Sequence, residues 1–125
     1  MSHGELLSGI HAHLTQLSES ADVFVREKGF SRFARETQAL YKVVGVADLA
    51  AWRAKKESYH EIAPSMIKKL LTGHGKASKE EVASALEQYV GRQEYTVSDE
   101  SDAVATGVAW LIQTNQLQIL HSTDP

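Results

Sequence analysis

The sequence predicts an α/β chain that is rich in helix and carries a small parallel sheet of two strands. Three observations predict it. Five stretches repeat their apolar residues at helical spacing. Two short β-prone runs fall between the first three of them. A helical stretch of some 25 residues separates those runs, which is the length of a crossover joining two parallel strands.

Leu6, Leu7, Ile10, Leu14 and Leu17 predict an amphipathic helix over 5–18. Val23-Phe24-Val25 opens a short buried strand that ends at Glu27, before Gly29. Ser31 is placed to cap a long helix from Arg32 to about Lys56. Its apolar face is Phe33, Leu40, Tyr41, Val44, Ala47 and Ala51, with Gly45 inside it. Tyr59 to Ala63 is the second strand, and Pro64 suits the first turn of a helix running to Leu71. Thr72-Gly73-His74-Gly75-Lys76-Ala77 is a glycine loop. Ser78 with Glu81 forms a capping box for a helix over 79–90, which Gly91 stops. The last helix begins near Ser98 or Asp99 and runs to about Thr114, with Ala103, Val104, Val108, Trp110, Leu111 and Ile112 as its apolar residues.

At 125 residues and 42% hydrophobic, the chain is expected to form one domain, 1–125. No apolar run reaches the roughly 18 residues that span a bilayer. Met1 is followed by Ser-His-Gly-Glu, with no basic and apolar leader pattern. The absence of cysteine excludes a disulfide scaffold, thiolate-bound zinc and a thiol nucleophile, and it fits the cytoplasm. Net charge is −3, but all 13 basic residues lie between Arg26 and Arg92 beside eight of the 16 acids. That middle stretch nets +5 and the two ends net −8. Either a phosphate-binding face lies near a carboxylate site, or these are solvated helix faces.

Asp99 and Asp102 stand three apart at the start of the last helix, on one face. Like charges that close repel unless a cation lies between them. Hard oxygen donors of this kind suit Mg2+ or Mn2+. The same acids also serve a helix N-terminus simply by complementing its dipole. Glu27 ends the first strand, the edge where open α/β sheets gather ligands. It is equally placed as a surface acid paired with Arg26 or Lys28. The glycine loop with Lys76 and Lys79 offers backbone N–H groups and charge to a phosphate, or is an ordinary helix connection. The six histidines show no metal-ligand spacing, and no Ser/His/Asp set is recognisable.

Glu27-Lys28-Gly29-Phe30-Ser31-Arg32-Phe33 resembles a motif of phage-type RuvC-like Holliday-junction resolvases. The resemblance continues through Thr37 to Val46, Ile62 to Lys69, Thr72 to Lys79 and Asp99 to Ala105, in the family's order over nearly the whole chain. It implies an RNase H-like fold and a homodimer that cuts four-way DNA junctions by metal-dependent phosphodiester hydrolysis. It implies Glu27, Asp99 and Asp102 as catalytic, metal-ligating carboxylates for Mg2+ (or Mn2+). Phe30, Arg32, Lys68, Lys69, Lys76 and Lys79 become DNA-binding residues, Phe30 by stacking on bases or else by packing internally. The family opens with strands bearing a further Asp, which this sequence does not match. The expectation is therefore an N-terminally truncated domain that dimerises or takes a strand-completing partner. The alternative is a catalytically inactive DNA-binding or dimerising remnant. Outside the family, a small helical interaction protein remains. A bacterial or phage-infected host cytoplasm is the expected location.

Overall fold

A computed structural model of the chain describes residues 2–28 and 34–121, with side chains described outside 34–41. The elements run α1 (His3–Glu19), β1 (Val25–Glu27), α2 (Ala34–Lys55), β2 (His60–Ile62), α3 (Pro64–Thr72), α4 (Lys79–Val90) and α5 (Ser98–Gln113). This is the order and type that the sequence predicts. The Ser31 cap and Phe33 lie outside the described residues. None of the described helices is long and apolar enough to cross a membrane.

The sheet pairs β1 with β2. His60 N donates to Phe24 O and Lys28 N donates to Ile62 O, both at 2.8 Å. The bonded residues advance along both strands together, which is parallel pairing. Each strand is only three residues long, shorter than the sequence suggests; ahead of β1, Val23 is exposed and Phe24 is buried. Arg26 Nε bonds Glu61 Oε2 at 3.1 Å across the two strands. Side chains alternate along a strand, so this pairing turns Arg26 away from Glu27, its neighbour in sequence.

The chain divides into two compact units. One comprises residues 1–24 and 29–60, the other 25–28 and 61–125. In the first, α1 packs against α2. Its buried residues are small: Ala47, Ala50 and Ala51 on α2 and Ser18 on α1, with Phe24 tilted against Tyr59 at 5.5 Å between ring centroids. Small side chains let helix axes approach closely. The apolar face predicted for α1 is only partly used: Leu6 is 50% and Leu17 54% exposed, whereas Leu7, Ile10 and Leu14 are half-buried.

The second unit holds the larger core. Ile62, Ile67, Leu71, Leu86, Ala105, Val108, Ala109 and Ile112 form it, flanked by Val25, Leu70, Val82, Tyr89 and Trp110. Pro64 opens α3, and Gly73, at φ 91°, closes it in the left-handed region that glycine tolerates. The capping box of α4 is present in full: Glu81 N bonds Ser78 Oγ and Ser78 N bonds Glu81 Oε1, each at 3.1 Å. The Ser78 backbone bond, then the Ser78 hydroxyl, hold the Glu81 carboxyl below its ordinary value. A depressed carboxylate stabilises the fold above its unfolded pKa and loses that contribution as pH falls through the folded value. Ser78→Ala removes the N-cap oxygen that accepts Glu81 N, which should cost about 1 kcal/mol. Its deficit against the wild type should shrink in thermal melts taken at progressively more acid pH.

Candidate active site

The acids and lysines singled out by sequence divide into those that share one cleft and those that do not. A cleft of ≈ 410 Å³ in the second unit is lined by Glu27 from β1, Lys68 from α3, Lys79 from α4, and Ser98, Ser101 and Asp102 from α5. Its apolar floor includes Pro64, Ile67, Val82, Ala83, Leu86 and Ala105. The local folding explains the convergence. Packing of α5 against β1 brings the first turns of the helix to the strand end that carries Glu27. Pro64 starts α3 immediately after β2, so Lys68 emerges one turn later, half-buried. The capping box sets the first residue of α4, Lys79, at the rim.

The electrostatics set two carboxylates and a lysine against one another. The Glu27 carboxyl is raised above its ordinary value, first by partial loss of solvent and then by the negative charge of Asp102. Lys68 opposes that rise. Two carboxylates that repel across a cleft are a donor set that a divalent cation relieves. Within α5 the Asp102 carbonyl accepts the Thr106 hydroxyl at 2.8 Å, and Thr106 is buried in the lining.

Asp99 lies in the first turn of α5, exposed and outside this lining. Among the described residues no three His, Asp or Glu side chains come together as a metal-holding group. Lys69 and Lys76 are exposed and also outside the lining. Phe30 and Arg32 lie outside the described residues. Sequence reasoning missed Ser98, Ser101 and Thr106. Ser98 read only as the start of the last helix, and Ser101 and Thr106 carry no charge to draw notice. The only signal was position, because Ser101 and Thr106 bracket Asp102 on its own helix.

The family model for crossover junction endodeoxyribonuclease RuvC matches residues 8–110. The chain is 36% identical over 89 residues to the crossover junction endodeoxyribonuclease RuvC of Porphyromonas gingivalis, covering 66% of this chain and 47% of that protein. It is 30% identical over 107 residues to that of Synechocystis, covering 86% and 63%. The chain thus spans about half to just under two thirds of the length of these curated relatives. Two solved structures share its fold at 24% identity, each covering 93% of this chain and 72% of the other. Thermus thermophilus RuvC in complex with a Holliday junction substrate has a TM-score of 0.84, and a second Thermus thermophilus RuvC structure has 0.81. The helix-rich architecture around a parallel strand pair is RNase H-like, and the chain belongs to the RuvC family.

Proposed function

We propose that this chain is the nuclease domain, or the larger part of one, of a Holliday-junction resolving endonuclease that hydrolyses phosphodiesters in branched DNA with Mg2+ or Mn2+. The observation that carries this reading is the meeting of Glu27, Asp102, Lys68 and Lys79 at one cleft, in a chain of the RuvC family. Mg2+ is commonly held by one or two carboxylates together with substrate phosphate and water, and the Glu27–Asp102 pair supplies that minimum. Asp99, three residues before Asp102, is the third candidate ligand. When bound, the divalent ion supplies positive charge to phosphodiester hydrolysis.

The chain's own residues do the rest. Glu27 and Asp102 would hold the ion and set its position from a strand end and a helix turn, two rigid elements. Lys68, half-buried beside Glu27, tempers the repulsion between the acids and presents charge to a phosphate. Lys79 at the rim, with Lys69, Lys76 and Arg32 on the basic stretch, attracts the DNA backbone. Phe30 is the candidate for stacking on unpaired bases. A second copy of the chain, or a strand-completing partner, would cover the edge of β1 that β2 leaves open. The bacterial or phage-infected cytoplasm, where DNA junctions form, is the proposed location.

One observation favours a second reading, DNA binding without cutting: Asp99 stands outside the cleft lining. A junction-cleavage assay in Mg2+ separates the two. Cutting by the wild type that Asp99→Asn and Asp102→Asn each abolish supports the enzyme. Salt-sensitive junction binding with no cutting supports the binding-only form. No preference for branched DNA sinks both.

A further inference from the structure

We propose that His121 is a positioning residue for the lysine-bearing corner between α3 and α4. The inference rests on the nuclease reading, because that corner is where the proposed DNA surface meets the cleft. After α5 the chain reverses. Asn115 takes a left-handed φ of 61°, and the N–H groups of Gln116 and Leu117 both bond Leu111 O, at 2.8 and 3.1 Å. The strap that follows reaches the other two helices. Leu120 N donates to the Tyr89 hydroxyl of α4 at 2.9 Å, and His121 Nε2 lies 3.1 Å from Leu70 O of α3.

The carbonyl that His121 meets is one of the last of α3, a group with no partner inside its own helix. Its neighbours are satisfied in other ways. Gly73 N takes Lys69 O at 2.8 Å, and the Thr72 hydroxyl donates to Lys68 O at 2.7 Å. An imidazole N–H here both fills an orphan acceptor and complements the negative end of the helix dipole. The ring also walls in Gly73. A Cβ added to that glycine would stand 3.2 Å from His121 Nδ1 and 3.4 Å from Cε1. The point where the chain leaves α3 is therefore fixed by a side chain 48 positions further along.

The opposite end of the loop is fixed as well. Ala77 is buried, with its N–H on His74 O at 3.2 Å, and the capping box follows at once. Lys76 lies between these two clamps, and Lys79 follows directly after the second. A lysine is a point charge on a flexible stem, so where its ammonium can reach depends on where its Cα is held. Loss of the His121 N–H frees Leu70 O and one end of the loop, but leaves Glu27 and Asp102 in place.

The test compares His121→Phe, which keeps the ring against Gly73 without a donor, with His121→Gln, whose amide N–H can reach Leu70 O, in the full chain. His121→Phe is expected to weaken binding of a four-way junction in EDTA by up to about tenfold, the most that reordering a loop freed by one lost hydrogen bond should cost. It should speed amide hydrogen exchange at Gly73 to Lys76, raise KM with kcat unchanged, and leave Mn2+ titration of the chain unchanged. His121→Gln should restore most of the affinity. Combined with Lys76→Ala, His121→Phe should lose less than the product of the two single losses, because both act through the same lysine. Wild-type affinity and exchange in His121→Phe overturn the proposal. So does an equal loss in the Phe and Gln variants that tracks only a fall in Tm. If the wild type binds no junction, the nuclease reading fails and the exchange arm decides: faster loop exchange in His121→Phe supports the positioning role, and unchanged protection overturns it.

Discussion

Glu27→Gln is expected to lower the proposed metal-dependent junction cleavage sharply while making the metal-free protein more stable. The two effects share one cause. Glu27 is held partly out of solvent opposite Asp102, and both circumstances raise its carboxyl above the ordinary value of 4.5. Between that value and the folded one, the folded state keeps a proton that the unfolded state has released. Stability therefore falls as pH rises through this window, and the full cost is present above the folded value. Glutamine carries no charge and removes the cost. Melts in EDTA should show the variant gaining on the wild type as pH is raised from the ordinary carboxylate value through the raised one, with the gap held above that. Asp102→Asn should act in the same direction, since it removes the charge that Glu27 faces. Cleavage should fall by about a thousandfold in either variant, the scale of losing several kcal/mol of metal-supplied stabilisation. A variant that cuts normally would show that these carboxylates do not hold the metal. One that melts lower than wild type at neutral pH would show that they do not oppose each other.

The largest stability effect should come from Leu71→Ala. Leu71 is 1% exposed and sits in the core that joins β2, α3, α4 and α5. Truncating it removes buried methyl groups and leaves a cavity, at a cost of about 2–5 kcal/mol. For a chain of this size that lowers Tm by roughly 10 °C or more. Urea titration should show a lower midpoint with an unchanged slope. Leu6→Ala on α1 is the matched control. Half of Leu6 already faces solvent, so its loss should fall within about 0.5–1 kcal/mol. A large loss at Leu6 would mean that something covers α1 in solution.

That control also marks where sequence periodicity stops informing. Spacing states which residues share a face, and it placed Leu6 and Leu17 with Ile10 and Leu14 correctly on one helix. It does not state whether another element covers the face, which depends on packing between distant segments. In α5 the reverse occurs. Thr106 occupies a core position that an apolar count passes over, and its hydroxyl is satisfied by the carbonyl one turn back, so burial leaves no polar group stranded. Ala103, counted as apolar, is exposed. The ends of α3 and α4 were legible because their signals are local: a proline, a left-handed glycine and a capping box act within four residues. Glu27 was legible as a strand-end acid, but its distance from Arg26 was not. The sequence neighbour pairs across the sheet with Glu61, a choice set by strand alternation. Asp99 and Asp102 share a face by spacing alone. That spacing still leaves them about 60° apart around the helix axis, and the cleft takes only the second.

The division of the chain at residues 24/25, 28/29 and 60/61 bears on how this protein can be cut and rejoined. The segment 25–28 is sequentially embedded in one unit and structurally counted with the other. A protease site, a cloning boundary or a recombination breakpoint at residue 60 would yield a tidy C-terminal piece that keeps Asp102, Lys68 and Lys79 yet has lost Glu27. Half of the acid pair thus travels with the other fragment. Inheritance of the cleft is all or nothing, and a cut at that joint leaves Lys68 and Lys79 with only one of the two acids that line it.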